Sequence, residues 1–286
     1  MSRLSGPGGI ALLVALMVIC LGPVAGLTVA SAAESPLVLM YAFNAEGRAL
    51  EDHMQIDSVV TRLGRRMAHG TLVNRPVILA ESGVGMTNAA LTAQFLIDHV
   101  APEAILFSGI AGALDSSIQI GDIVVCSTWA THDYGYWGAD GLKPQGIDIW
   151  VASEDSVLVM SALPVDSALY SAARRLPAAS LAFDSVGERL PQIVVGAVGV
   201  SGNTFIDNRR KRDWLADRFA GDIVDMESAA VAQVCAVNGI SFLAFRSASD
   251  LAGGSGSETA HKEISEFFRV AARNSSLVVL YFLKCL

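Results

Sequence analysis

Short apolar runs broken by glycine, proline and polar clusters recur from Pro36 onward. Pro36 to Phe43 (PLVLMYAF) is nearly continuous, the pattern of a strand buried on both faces. Val77 to Ala80 is a second such run, ending in Glu81-Ser82-Gly83-Val84-Gly85. Ala104 to Phe107 is a third, ending in Ser108-Gly109-Ile110-Ala111-Gly112, and Ile123-Val124-Val125 a fourth. Val194 to Val200 runs into Ser201-Gly202-Asn203, and Ile223-Val224 leads into Asp225-Met226-Glu227. Ser241 to Phe245 precedes Arg246-Ser247-Ala248-Ser249-Asp250. Helical spacing lies between these runs. Ala90, Ala93, Ile97 and Val100 recur on one face before Pro102 blocks continuation. Asp207 or Asn208 caps a helix over Arg209 to Phe219. Another helix starts near Ser228 and stops at Asn238-Gly239. A last amphipathic helix covers Glu258 to Leu283, and Asp133 to Pro191 is the least regular stretch. Strands alternating with helices predict an α/β fold, a single domain around a mainly parallel sheet flanked by helices.

The N-terminal end reads differently. The first charged side chain is Arg3, and Ile10 to Leu21 is unbroken and apolar. Gly22-Pro23 breaks the run, and Ala30-Ser31-Ala32 is a small-x-small site. That order predicts a secretory signal over residues 1–32, leaving a domain of 33–286 that is exported, periplasmic or secreted. An uncleaved anchor helix from Ile10 to Ala33 is the competing reading, and it alone brings in a membrane.

Composition narrows the class. The 286 residues are 52% hydrophobic and 17% charged, which excludes intrinsic disorder. A net charge of −8 argues against a nucleic-acid partner. Cys126, Cys235 and Cys285 are too few and too widely spaced for a disulfide framework, although one bridge stays open. The five histidines are scattered, so neither metal nor cofactor is expected.

Candidate chemistry collects where strands end, the place ligands occupy in open α/β sheets. Glu46, Glu227 and Asp250 are three carboxylates at such positions, suited to acid/base work on a neutral, hydroxyl-rich substrate. Each has a plainer reading. Ser82 to Gly85 makes a tight turn, Gly109 to Gly112 allows close packing, and Glu227 sits favourably at a helix start. Glu46 can belong to a solvated helix and Asp250 to an ordinary loop. No Gly-x-Ser-x-Gly elbow is present, which removes the α/β-hydrolase reading.

Taken in order, LMYAFNAE (39–46), SGVGM (82–86), SGIAGAL (108–114), GDIVV (121–125), SGNTFID (201–207), VDMESAA (224–230) and RSASD (246–250) resemble the nucleoside phosphorylase/nucleosidase superfamily. Within it, the chain looks like the 5′-methylthioadenosine/S-adenosylhomocysteine nucleosidases, and the resemblance implies their three-layer fold. It implies that Met226 and Glu227 bind ribose, Phe205 stacks on the purine and the Ile206 backbone reads its edge. Asp250 is implied as general acid toward N7, supported by Ser249. Glu46 is implied as the group that deprotonates water, helped by Arg246. His132 matches a histidine near the sugar. Ile110 stands where a serine is common, and Ile264 near the place of an aromatic. Phosphorolytic relatives carry an arginine where Phe107 stands, so water is the expected nucleophile. The implied partners are a purine nucleoside and a second copy of the chain. A phosphorylase and a non-catalytic nucleoside-binding or storage protein are the alternatives.

Overall fold

The computed structural model describes residues 35–151, 155–176 and 181–286; the N-terminal signal or anchor lies outside them. In chain order the elements are β1 (Leu37–Tyr41), α1 (Asn44–Glu51), β2 (Gln55–Arg62), β3 (Arg65–Leu72), β4 (Arg75–Glu81), α2 (Met86–Val100) and β5 (Ala104–Ala113). They continue as β6 (Ile123–Thr131), β7 (Gly135–Gly138), β8 (Gly141–Pro144), β9 (Ile147–Val151), β10 (Ser156–Met160), β11 (Leu163–Pro164) and α3 (Ser167–Ala173). The last are β12 (Ile193–Ser201), α4 (Arg209–Phe219), β13 (Ile223–Asp225), α5 (Ser228–Asn238), β14 (Ser241–Asp250) and α6 (Ala260–Cys285).

The central sheet is mixed. β4, β1, β5 and β14 run parallel, as do β6, β12 and β13. These two groups meet through antiparallel contacts, β13 with β5 and β14 with β6. The pairings β5–β14–β6–β12–β13–β5 therefore close a ring. An edge strand keeps its backbone groups unpaired, so closure satisfies them inside the protein. β2 and β3 extend the other edge as an antiparallel hairpin. Helices α1 and α6 pack together, with α6 against β5 and β14; α2 and α5 pack together, with α5 against β12 and β14.

Local chemistry explains most boundaries. The Asn208 side chain accepts from the Lys211 N–H at 3.0 Å and starts α4. Asp207, the other candidate cap, instead accepts the N–H groups of Ala260 and His261 at the start of α6. Gly239 ends α5 at φ +67°, where a side chain would be strained. The apolar face of α2 is Ala89, Ala93 and Leu96 with Thr92, so the stripe expected at Ala90, Ile97 and Val100 is rotated, and only Ala93 of it is fully buried.

Two expectations are corrected. Ser108 to Gly112 and Arg246 to Asp250 are not loops after strands but the second halves of β5 and β14. Serine, glycine and aspartate read as strand breakers, yet here each strand supplies the other's backbone partners from Arg246–Gly109 to Asp250–Gly112. The irregular stretch from Asp133 holds two small hairpins, β7–β8 and β9–β10. Cys126 and Cys235 are free and buried, and Cys285 is free and exposed.

Candidate active site

A cavity of about 190 Å³ opens where β5, β13 and β14 end beside α1, α5 and α6. Its walls include Glu46, Ile110, Phe205, Ile206, Met226, Glu227, Ser249 and Asp250. Of the residues singled out from the sequence, Arg246 and His132 do not line it. Phe43, Val84 and Ile264 add apolar surface.

Glu46 sits in the first turn of α1 and is buried, not solvated. Its Oε2 accepts the Ala42 N–H at 2.6 Å and its Oε1 the Ile110 N–H at 2.9 Å. Burial raises its pKa, opposed by Arg246 and these N–H groups. Glu227 stands just before α5 with its Oε1 accepting the Gly85 N–H at 2.9 Å. This gives the Ser82–Gly85 turn a function beyond turning the chain: Gly85 adopts φ +99° and delivers its N–H across the fold. Burial pushes Glu227 up to about 7, with Arg246 opposing.

Asp250 closes β14 and is buried. Its Oδ1 accepts the Ala252 N–H at 2.8 Å, and its Oδ2 accepts the Ser249 hydroxyl at 2.9 Å. Burial raises its pKa to about 6 despite both hydrogen bonds. The pairing of β14 with β5 shifts register between Ala248 and Asp250. Neighbouring strand residues otherwise point to opposite faces; this bulge lets Ser249 and Asp250 line the same cavity.

Arg246 lies beneath the cavity, 1% exposed, as the hub of a buried ion cluster. Its Nη2 is 2.8 Å from Asp225 Oδ2 and 3.3 Å from Glu227 Oε2, and it also donates to the Ser228 hydroxyl at 3.0 Å. The Phe107 ring packs against the guanidinium, centroid 4.3 Å from Cζ. Gly109 leaves the space for this: a Cβ there would strike Arg246 Nη1 and come within 2.7 Å of Glu46 Oε1. Gly109→Ala is expected to cost activity and about 1–3 kcal/mol of stability through overpacking, read by urea titration.

His132 lies outside the lining of the cavity. It is buried against Gly202, and neither ring nitrogen has a hydrogen-bond partner. Burial lowers its pKa, keeping the imidazole neutral. Asp225 is the residue the sequence reading passed over. It lines the cavity; the sequence reading placed it in the Asp225-Met226-Glu227 cluster and the VDMESAA segment but gave it no role.

An apolar cavity with buried carboxyls at strand ends defines a class of small-molecule site, and the match of residues 36–284 to a family model gives the class its name. The chain belongs to the phosphorylase superfamily. It is similar to the 5′-methylthioadenosine/S-adenosylhomocysteine nucleosidase of Mycobacterium tuberculosis (strain CDC 1551 / Oshkosh), 33% identical over 71% of this chain and 81% of that protein. The nucleosidase of the same name from Staphylococcus carnosus is 33% identical over 76% of this chain and 85% of its own length. Among solved structures, the Neisseria meningitidis nucleosidase in complex with methylthio-immucillin-A superposes with TM-score 0.72 at 25% identity, covering 88% of this chain and all of that one. The Colwellia psychrerythraea enzyme in complex with adenine gives TM-score 0.73 at 26% identity, over 88% and 96% of the two chains.

Proposed function

We propose that this protein is a purine nucleosidase that hydrolyses the N-glycosidic bond of adenine nucleosides of the 5′-methylthioadenosine and S-adenosylhomocysteine type. The observation that carries the reading is the cavity itself: four buried carboxyl groups, Glu46, Asp225, Glu227 and Asp250, line it. The relatives' names supply the substrate class.

In this reading the bond from C1′ to the base breaks while water adds at C1′. Asp250, protonated, gives its proton to the purine at N7, so the base leaves neutral. Glu46, held by the backbone N–H groups of Ala42, Phe43 and Ile110, takes a proton from the water. Glu227 accepts hydrogen bonds from the ribose hydroxyls and, with Glu46, favours the positive charge developing on the sugar. Phe205, at the mouth, offers its ring to the purine. The arrangement also favours water over phosphate. Among the described residues no lysine or arginine lines the cavity, and the nearby Arg246 is already engaged by carboxylates and covered by Phe107. A phosphate dianion would meet carboxylates without a counter-charge. Adenine release from a nucleoside panel is therefore expected to proceed equally with and without inorganic phosphate. Strict dependence on phosphate, with sugar 1-phosphate as product, would refute hydrolysis.

Export and self-association belong to the same proposal. Arg3, the apolar run from Ile10 and Ala30-Ser31-Ala32 support a cleaved signal. Exposed Val84, Leu91 and Val237, on or beside the paired helices α2 and α5, support a face between two copies. Protein recovered outside the cytoplasm is expected to begin at Ala33 and to sediment as a dimer. An intact Met1, or a monomer, would count against the respective part.

A further inference from the structure

Asp225 takes part in none of the steps above, yet it is the most heavily bonded carboxylate around the cavity. Its Oδ2 meets Arg246 Nη2 at 2.8 Å. Its Oδ1 accepts the Ser201 hydroxyl and the N–H groups of Glu227 and Ser228, the latter two at 3.2 Å. One side chain thus grips both the main chain and the counter-ion of Glu227. The charge count gives this weight. Glu46, Asp225 and Glu227 all act on the single guanidinium of Arg246. A guanidinium shared with Asp225 has less charge to spend on the two carboxylates facing the substrate.

We propose that Asp225 is a positioning residue for the reaction. It holds Arg246 and the start of α5 so that Glu227 meets the ribose, and it draws arginine charge away so that Glu46 can take a proton from water. The proposal rests on the nucleosidase reading. Other titratable groups near Asp225 do not replace it. The Cys126 thiol is pushed well up by burial and stays protonated, and the His132 imidazole is neutral.

The test compares wild type with Asp225→Asn and Asp225→Glu. It uses pH profiles of kcat and KM for 5′-methylthioadenosine, and carboxyl-carbon NMR titration of glutamate-labelled protein. With Asp225→Asn, kcat is expected to fall roughly 100-fold through misplacement, with KM changing less. The acidic limb and the titration midpoints of Glu46 and Glu227 should move down by about one pH unit, because Arg246 then acts on them alone. Asp225→Glu keeps the charge, so the midpoints should stay, while its longer reach lowers kcat. Unchanged midpoints and kcat in Asp225→Asn would overturn the proposal. If that variant does not fold, wild-type kcat in Asp225→Glu overturns it. If the wild-type protein releases no base at all, the nucleosidase reading fails, and the NMR midpoints still decide whether Asp225 controls the charge.

Discussion

Asp250→Asn is expected to lower kcat by roughly two to four decades, about 3–5 kcal/mol of transition-state stabilisation. The substitution keeps the shape of the side chain. Its amide oxygen can still accept the Ala252 N–H that Oδ1 accepts at 2.8 Å, so the end of β14 should hold. What the amide cannot do is hand over a proton. A departing purine left anionic in an apolar cavity has no other proton donor assigned to the base, since Ser249 is a weak acid, Glu46 is committed to water and Glu227 to the ribose. KM should change little, because recognition falls to Phe205, Glu227 and Met226. The pH profile adds an independent check. The acid is useful only while protonated, and burial holds Asp250 at about 6. The value of kcat/KM should therefore fall tenfold per unit as pH rises above about 6, and Asp250→Asn should lack that limb. Near-normal turnover in the variant would remove Asp250 from the mechanism.

Arg246→Met is expected to destabilise the domain by roughly 3–5 kcal/mol at neutral pH, a large part of the ~5–15 kcal/mol that holds most domains folded. Methionine fills much of the volume against Phe107 but leaves Asp225 and Glu227 without their cation. Glu227, already raised by burial, then loses the cation that opposes that rise and holds its proton more firmly, so its folded pKa moves further above the unfolded one. The native variant then binds more protons than the unfolded chain, and its stability declines as pH rises. The urea midpoint of Arg246→Met should consequently lie closest to wild type near pH 5 and furthest below it near pH 8. Equal midpoints at pH 8 would show that the cluster contributes nothing net to stability.

Much of the fold was legible because local physics left little choice. The Asn208 cap, the Gly239 stop and the two-faced apolar runs specify their elements within a few residues. The hairpin strand β2 left no such trace, since nearly every residue in it is exposed and no buried alternation is imposed. The site was legible as motifs rather than as geometry. Glu46, Glu227 and Asp250 were each open to a plain reading until burial placed all three around one cavity. Asp225 escaped notice because two of its partners, Ser201 on β12 and Arg246 on β14, are distant in sequence, and the nearby Glu227 and Ser228 meet it through their main-chain N–H groups.

By itself, the sequence determined the α/β class, the single domain, the helix ends and the residue types that carry the chemistry. These follow from periodicity, capping and apolar runs, which act over a few residues. Only the tertiary structure decided how far β5 and β14 extend, that the sheet closes into a ring, and where the carboxyls point. Serine, glycine and aspartate stay in strand geometry only when long-range pairing satisfies their backbone groups. The bulge at Ser249, which turns Asp250 toward the cavity, exists only in that pairing.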